Sequence, residues 1–297
     1  MFPHVLDSTM IAAFRSCPRK MQLEFVEHYK SRHPSVHLIA GGAFAKGMEV
    51  ARRAYFEEGQ NATDSVALGL GALITEYGDF ECPPDSAKSL ERTAGAFEFY
   101  FDHYLLGADG SEPFEWTDGK RAIEFSFAEP LPIAHPETGD PLIYCGRSDM
   151  IAHFAGGIYI FDEKTTSSLG PSWSNQWDLR SQFTGYCWAA QRNGIEANGV
   201  IVRGVSILKT KYDTQQAITS RAKWEIDRWY NQLQKDILRM IECYKIGQWD
   251  YNLEHACTEY SGCSFKQVCK SPEPQPWLDL YFEKRIWDPL AREEKPA

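Results

Sequence analysis

The chain has 297 residues, room for one large domain or two small ones, and its 43% hydrophobic and 13% aromatic content excludes wholesale disorder. No apolar run approaches the roughly 20 residues that cross a bilayer, and the opening MFPHVLDSTM has no basic segment followed by an apolar one, so a soluble cytoplasmic protein without a secretory signal is expected. The formal charge of −10, from 31 Lys+Arg and 41 Asp+Glu, argues against a generally basic nucleic-acid coat protein but leaves a locally positive groove open.

Residues 8–30 mix apolar and charged residues at helical spacing, with Ser8 or Thr9 as N-cap and a break at Pro18. An amphipathic helix is predicted over 42–58, with Phe44, Met48, Ala51 and Tyr55 on one stripe, and two more over 63–78 and 86–106. The pattern then turns to strands at 120–129, 142–154 and 157–164, the last two joined by a hairpin at Gly156-Gly157. A polar loop over 165–175 leads to a helix over 177–193, a buried strand over 199–208 and a long helix over 214–246. The tail is cysteine-bearing, then proline-rich. This order gives an α/β fold with a mixed sheet flanked by helices. It divides into a helical region 1–116, a core 117–212 and a helix-plus-tail region 213–297, all within one integrated domain.

The informative stretch is Gly146 to Lys164. Asp149 lies on one predicted strand, and Asp162 and Lys164 lie near the end of the next. Side chains alternate along a strand, so Asp162 and Lys164 share a face and Glu163 points to the other. A hairpin brings Asp149 near Asp162. Two carboxylates can hold Mg²⁺ or Mn²⁺, which prefer oxygen ligands and lower the pKa of bound water. A nearby ammonium can stabilise a negative transition state. Asp-x-Lys alone is common, and acidic–basic pairs usually sit on solvated faces. The apolar run Ile158-Tyr159-Ile160-Phe161 is what carries this one into the interior.

In order and spacing the chain resembles the RecB-like branch of the PD-(D/E)XK nucleases, which includes phage and CRISPR-associated iron–sulfur exonucleases. Gly146-Arg147-Ser148-Asp149 matches that branch's G-x-x-D, Asp162-Glu163-Lys164-Thr165 its (D/E)-x-K-T, and Gln182 to Tyr186 its Q-x-x-x-Y. The resemblance spans residues 17–269. It implies a restriction-endonuclease-like core acting on DNA, single strands or duplex ends, with Asp149 and Asp162 as metal ligands and Lys164 as the catalytic lysine. Gln182 and Tyr186 would flank the groove, with a packed core aromatic as the alternative for Tyr186. The G-x-x-x-H motif departs: Gly41 is followed by Ala45 where the family has a metal-binding histidine. Three accounts are open: a disabled variant of a cutting enzyme, a natural homologue that binds DNA without cutting, or a site in which Glu49, one turn later, replaces the missing ligand.

Of eight cysteines, Cys82, Cys145, Cys187 and Cys243 sit in or beside apolar patterns and read as packing residues. Cys257, Cys263 and Cys269 form a spaced set of thiols in a polar segment, one short of a four-ligand site. The resemblance supplies Cys17 as the fourth and implies a [4Fe–4S] cluster joining the N- and C-terminal segments; spacing alone leaves zinc as the alternative. Arg15, Arg19 and Lys20 beside Cys17, Lys266 and Lys270 beside the C-terminal cysteines, and Lys46, Arg52 and Arg53 on the motif-bearing helix are candidate phosphate contacts, and Trp173 and Trp177 are candidates to stack on bases from an exposed loop. The tail beyond Cys269, with Trp277, Tyr281, Phe282 and Trp287, is apolar enough either to dock on a partner protein or to fold back on its own domain.

Overall fold

The structure is a computed structural model that describes residues 1–258 and 262–291; the end of the predicted tail, from 292 on, lies outside the described residues. In chain order the strands are β1 Val5–Leu6, β2 Tyr29–Ser31, β3 Glu112–Pro113, β4 Ile123–Ala134, β5 Pro141–Phe154, β6 Gly157–Thr166, β7 Gly199–Ile207, β8 Tyr212–Ser220 and β9 Phe282–Lys284. The helices are α1 Ser8–Ser16, α2 Pro18–Met21, α3 Val36–Phe56, α4 Ala62–Tyr77, α5 Leu90–His103, α6 Pro171–Asn175, α7 Ser181–Arg192, α8 Lys223–Ile246, α9 Lys266–Lys270 and α10 Gln275–Tyr281. They fall into two compact units, residues 34–126 with 147–226, and residues 1–33 with 127–146 and 227–297. The result is a mixed α/β fold. No helix among the described residues is long and apolar enough to cross a membrane.

In the first of these units β6 pairs antiparallel with β5, Met150 opposite Phe161 and Phe154 opposite Gly157. The tight turn is centred on Ala155-Gly156, both at positive φ (48° and 83°), one residue earlier than the glycine pair suggested. β6 then pairs in parallel with β7, Asp162 beside Val202 and Lys164 beside Gly204, and β7 pairs antiparallel with β8. Every residue of β7 is buried, as expected of a central strand covered on both faces. Phe44, Phe97, Tyr100, Val205 and Ile207 share one core cluster that joins α3 and α5 to β7.

Two elements differ from expectation here. Helix α3 begins at Val36, capped by Ser35, so Gly41 and Gly42 lie inside it rather than at its start. Its glycines serve packing: a Cβ on Gly47 would stand 2.9 Å from Gly69 O and one on Gly69 2.6 Å from Gly47 O, so α3 and α4 approach backbone to backbone. Residues 214–220 form β8, not the start of the long helix, because Thr214, Ile218 and Thr219 are β-branched and β7 offers them a full ladder.

In the other unit Asp7, rather than Ser8 or Thr9, caps α1: its carboxylate accepts from Met10 N at 2.8 Å. The chain breaks at Cys17, with Pro18 opening α2. β1 pairs in parallel with β5, Val5 against Ile143. The tail folds back on this unit. β9 pairs with β2, Phe265 stacks on Phe282 with centroids 4.7 Å apart, and Leu23, Val268 and Leu278 complete the cluster.

Candidate active site

The β5–β6 hairpin carries the central residues. The β5–β6 pairing ends at Met150–Phe161, and Asp149 and Asp162 are the next residues on their two strands. Asp162 is 2% exposed. The Lys164 ammonium, its side chain 35% exposed, forms an ion pair with Asp162 Oδ1. Beyond this ion pair the buried oxygen has no hydrogen-bond partner among the described residues. Asp149 Oδ2 accepts from the backbone N–H of Glu163 at 2.8 Å. Burial pushes both carboxyls above the ordinary Asp value; the Asp162 charge pushes Asp149 further, while Lys164 opposes the shift at Asp162. Burial alone would lower Lys164, but Asp162 and Asp149 hold it above the usual lysine value.

Glu163 faces the other way, as alternation requires. Its side chain is 3% exposed and pairs with Arg52 of α3. Arg52 Nη1 donates to Oε2 at 2.9 Å, Arg52 Nη2 to Oε1 at 2.5 Å, and Tyr100 OH to Oε1 at 3.0 Å. A second buried pair, Arg203 with Asp109, lies in the same unit, and Arg203 Nε also donates to Gln216 Oε1 at 2.9 Å.

Ala45 lies on α3 and offers no donor atom. Glu49 is already engaged on its own helix, accepting from Lys46 Nζ at 3.0 Å and from Arg53 Nε at 3.1 Å. Sequence reasoning missed Glu124. It sits at a positive φ of 54°, its side chain is 10% exposed, and Arg147 Nε pairs with it at 2.8 Å. Burial raises its carboxyl to about 7 against the pull of Arg147, with Glu49 adding to the rise. It is also among the charges that raise Asp149. A lone glutamate in an alternating strand carries no signal of this in the sequence.

On α7, Gln182 Nε2 donates to Tyr186 OH at 2.8 Å, so these two motif residues meet each other. Trp173 and Trp177 correct an expectation. Each is 6% exposed, their rings meet edge to face at 5.5 Å, and Trp173 lies over Gly204 of β7. The missing side chain at Gly204 makes room for the indole, so neither ring is presented for base stacking.

Cys17, Cys257, Cys263 and Cys269 line one small cavity with Lys20, Leu23 and Phe265. Burial raises the thiols of Cys263 and Cys269, and the neighbouring cysteines raise them further. Among the described residues, however, no three His, Cys, Asp or Glu side chains stand close enough to ligate one metal ion. That holds for the thiols and for the carboxylates alike. Of the candidate phosphate contacts, Arg15 pairs with Asp236 at 2.7 Å and Arg19 with Glu27 at 3.7 Å, while Lys20 lies at the cysteine cavity. Cys145 and Cys187 are buried, as packing residues should be.

The carboxylates still suit a hard divalent cation. Two lie on paired strands close enough for the charge of one to raise the other, and burial disfavours both charges unless a cation offsets them.

Comparison with known proteins bears on the same residues. No curated protein matches the chain. Among solved structures it is similar to a "putative exonuclease" from Eubacterium rectale, at 13% identity and a TM-score of 0.50 over 86% of this chain and 88% of that one. It is also similar to the protein SSO0001, at 13% identity and a TM-score of 0.28 over 66% of this chain and 74% of that one. The family profile of the PD-(D/E)XK nuclease superfamily matches residues 8–270, a span that includes every motif residue described above. The chain belongs to the PD-(D/E)XK nuclease superfamily.

Proposed function

We propose that the protein is an Mg²⁺- or Mn²⁺-dependent deoxyribonuclease of the exonuclease or end-processing kind, acting on single strands or duplex ends in phage or bacterial recombination, repair or DNA processing. The observation that carries this reading is the placement of Asp149 and Asp162 on paired strands with the Lys164 ammonium against Asp162 Oδ1. Asp149 and Asp162 would hold the cation. When bound, it offsets the charge of the scissile phosphate and makes water a better nucleophile.

The chain's own residues do the rest. Lys164, held above the ordinary lysine value by the two carboxylates, remains an ammonium at neutral pH. It would act as a positive charge toward the phosphate. The Glu163 N–H holds Asp149 Oδ2 in one orientation. Gln182, half-buried on α7, would position the DNA backbone, and the buried Tyr186, whose hydroxyl accepts from Gln182 Nε2, would hold that side chain in place.

The four cysteines are read as a [4Fe–4S] site with zinc as the alternative, on the strength of their shared cavity. Closing that site around its metal would require the thiols to draw together. Iron and sulfide analysis with visible absorbance of anaerobically purified protein decides: neither iron nor zinc at one site per chain removes this part of the reading.

Ala45 supports a second reading, a nuclease fold that binds DNA without cutting, because alanine cannot ligate. Cleavage of end-labelled DNA with Mn²⁺, by the parent chain and by Ala45→His, separates them. Cutting by either protein supports the enzyme reading. Restored cutting by Ala45→His alone marks the parent as a disabled enzyme, and DNA binding without cutting by both favours the second reading.

A further inference from the structure

Glu163 is the middle residue of the Asp-Glu-Lys run and turns toward α3, where a strand residue is ordinarily apolar. Its carboxylate is instead gripped by both Arg52 nitrogens, at 2.9 and 2.5 Å, and by Tyr100 OH at 3.0 Å. All three side chains are buried: Glu163 3%, Arg52 5% and Tyr100 1% exposed. A buried ion pair is no better for stability than well-packed apolar residues of the same volume, so stability alone does not account for this one. The other end of the same residue faces the reaction. The Glu163 peptide N–H donates to Asp149 Oδ2 at 2.8 Å.

We propose that Arg52 and Glu163 form a positioning pair for Asp149: the gripped carboxylate fixes the Glu163 peptide, and the fixed peptide aims the Asp149 carboxylate at its metal. This rests on Asp149 being a metal ligand. Arg52 has a second task. An unneutralised Glu163 would repel charge on Asp149, and the Arg52 guanidinium, paired with that carboxylate through two hydrogen bonds, cancels it. The pair thus anchors the peptide without adding net charge behind the site. Partners that orient metal-binding carboxylates typically alter metal affinity or activity about 10- to 100-fold when removed.

The test is Mn²⁺ titration by calorimetry on the parent, Glu163→Gln and Tyr100→Phe, each first checked for parental circular dichroism. Glu163→Gln should weaken Mn²⁺ binding about tenfold or more, and Tyr100→Phe several-fold, with the melting temperature measured without divalent cation close to parental in both. A purely structural pair would lower the melting temperature and leave Mn²⁺ affinity where it was; that result in a folded variant overturns the proposal. Should Glu163→Gln fail to fold, Tyr100→Phe decides, since it removes one hydroxyl and keeps the packing. Absence of Mn²⁺ binding by the parent overturns the metal reading and this pair with it, whereas binding that both variants leave unchanged overturns the pair alone.

Discussion

Lys164 and Asp162 lie on the same face of β6, the ammonium against Oδ1, while Glu163 between them is turned away and held by Arg52. A strand's period of two produces this arrangement from three consecutive residues. It gives Lys164 a permanent charge beside the carboxylate that would hold the metal. Lys164→Met should therefore reduce cleavage about 100- to 1000-fold, the usual loss of one transition-state stabilising donor. Binding of the same DNA in Ca²⁺, read by fluorescence anisotropy, should change little. An equal loss in both assays would make Lys164 a binding residue only.

Lys88 supplies a pH-dependent prediction. It is 4% exposed, and its ammonium donates to Thr165 Oγ1 at 3.1 Å and to Thr165 O at 3.4 Å. Burial lowers its pKa from 10.5 to about 8. The unfolded chain keeps that proton to higher pH, so between these two values the unfolded state binds more protons and stability rises with pH. The charged lysine thus costs stability below about pH 8, and the cost is relieved as pH climbs toward 10.5. The parent should gain on the order of 1–3 kcal/mol relative to Lys88→Met between neutral pH and pH 10. Urea denaturation at the two pH values measures it; a pH-independent difference contradicts the assignment.

Arg203 is buried against Asp109, with side chains 2% and 9% exposed. Asp109→Ala leaves the guanidinium without its carboxylate. Breaking a buried pair from one side costs about 3–5 kcal/mol, so a large drop in the urea midpoint is expected. A change under about 1 kcal/mol would mean that Gln216 and the ring of Tyr104, 4.2 Å away, carry the charge unaided.

Gly204→Ala tests why Trp173 is buried. The added Cβ would run into the indole at Cζ2. Overpacking of this kind costs about 1–3 kcal/mol, and here it should also shift tryptophan emission as α6 is pushed off the sheet. Parental stability and emission would show that the indole has room to move.

The hairpin and its carboxylates were legible because the relevant contacts are local. Twelve residues lie between Asp149 and Asp162, a turn with Gly156 joins the strands, and alternation fixes which side chains share a face. The partners of Glu163 were not legible, since Arg52 lies 111 residues away and nothing in the spacing of α3 marks it. The burial of Trp173 was hidden for a similar reason: Gly204 on β7 decides it, and a polar loop sequence does not reveal what it packs on. Residues 214–220 read as helix because Ala217 and Ile218 fit either period; the ladder offered by β7 settled the competition. Glu124 gave no signal because its importance comes from Arg147 and from a left-handed backbone, both products of the fold.

The most direct test of the account is Mn²⁺-dependent release of nucleotides from end-labelled DNA by Ala45→His, compared with Ala45→His carrying Asp162→Asn as well. The first is predicted to cut, and the second to lose at least about 100-fold in rate while remaining folded. Cutting that Asp162→Asn leaves intact would contradict the central role of the Asp149–Asp162–Lys164 site.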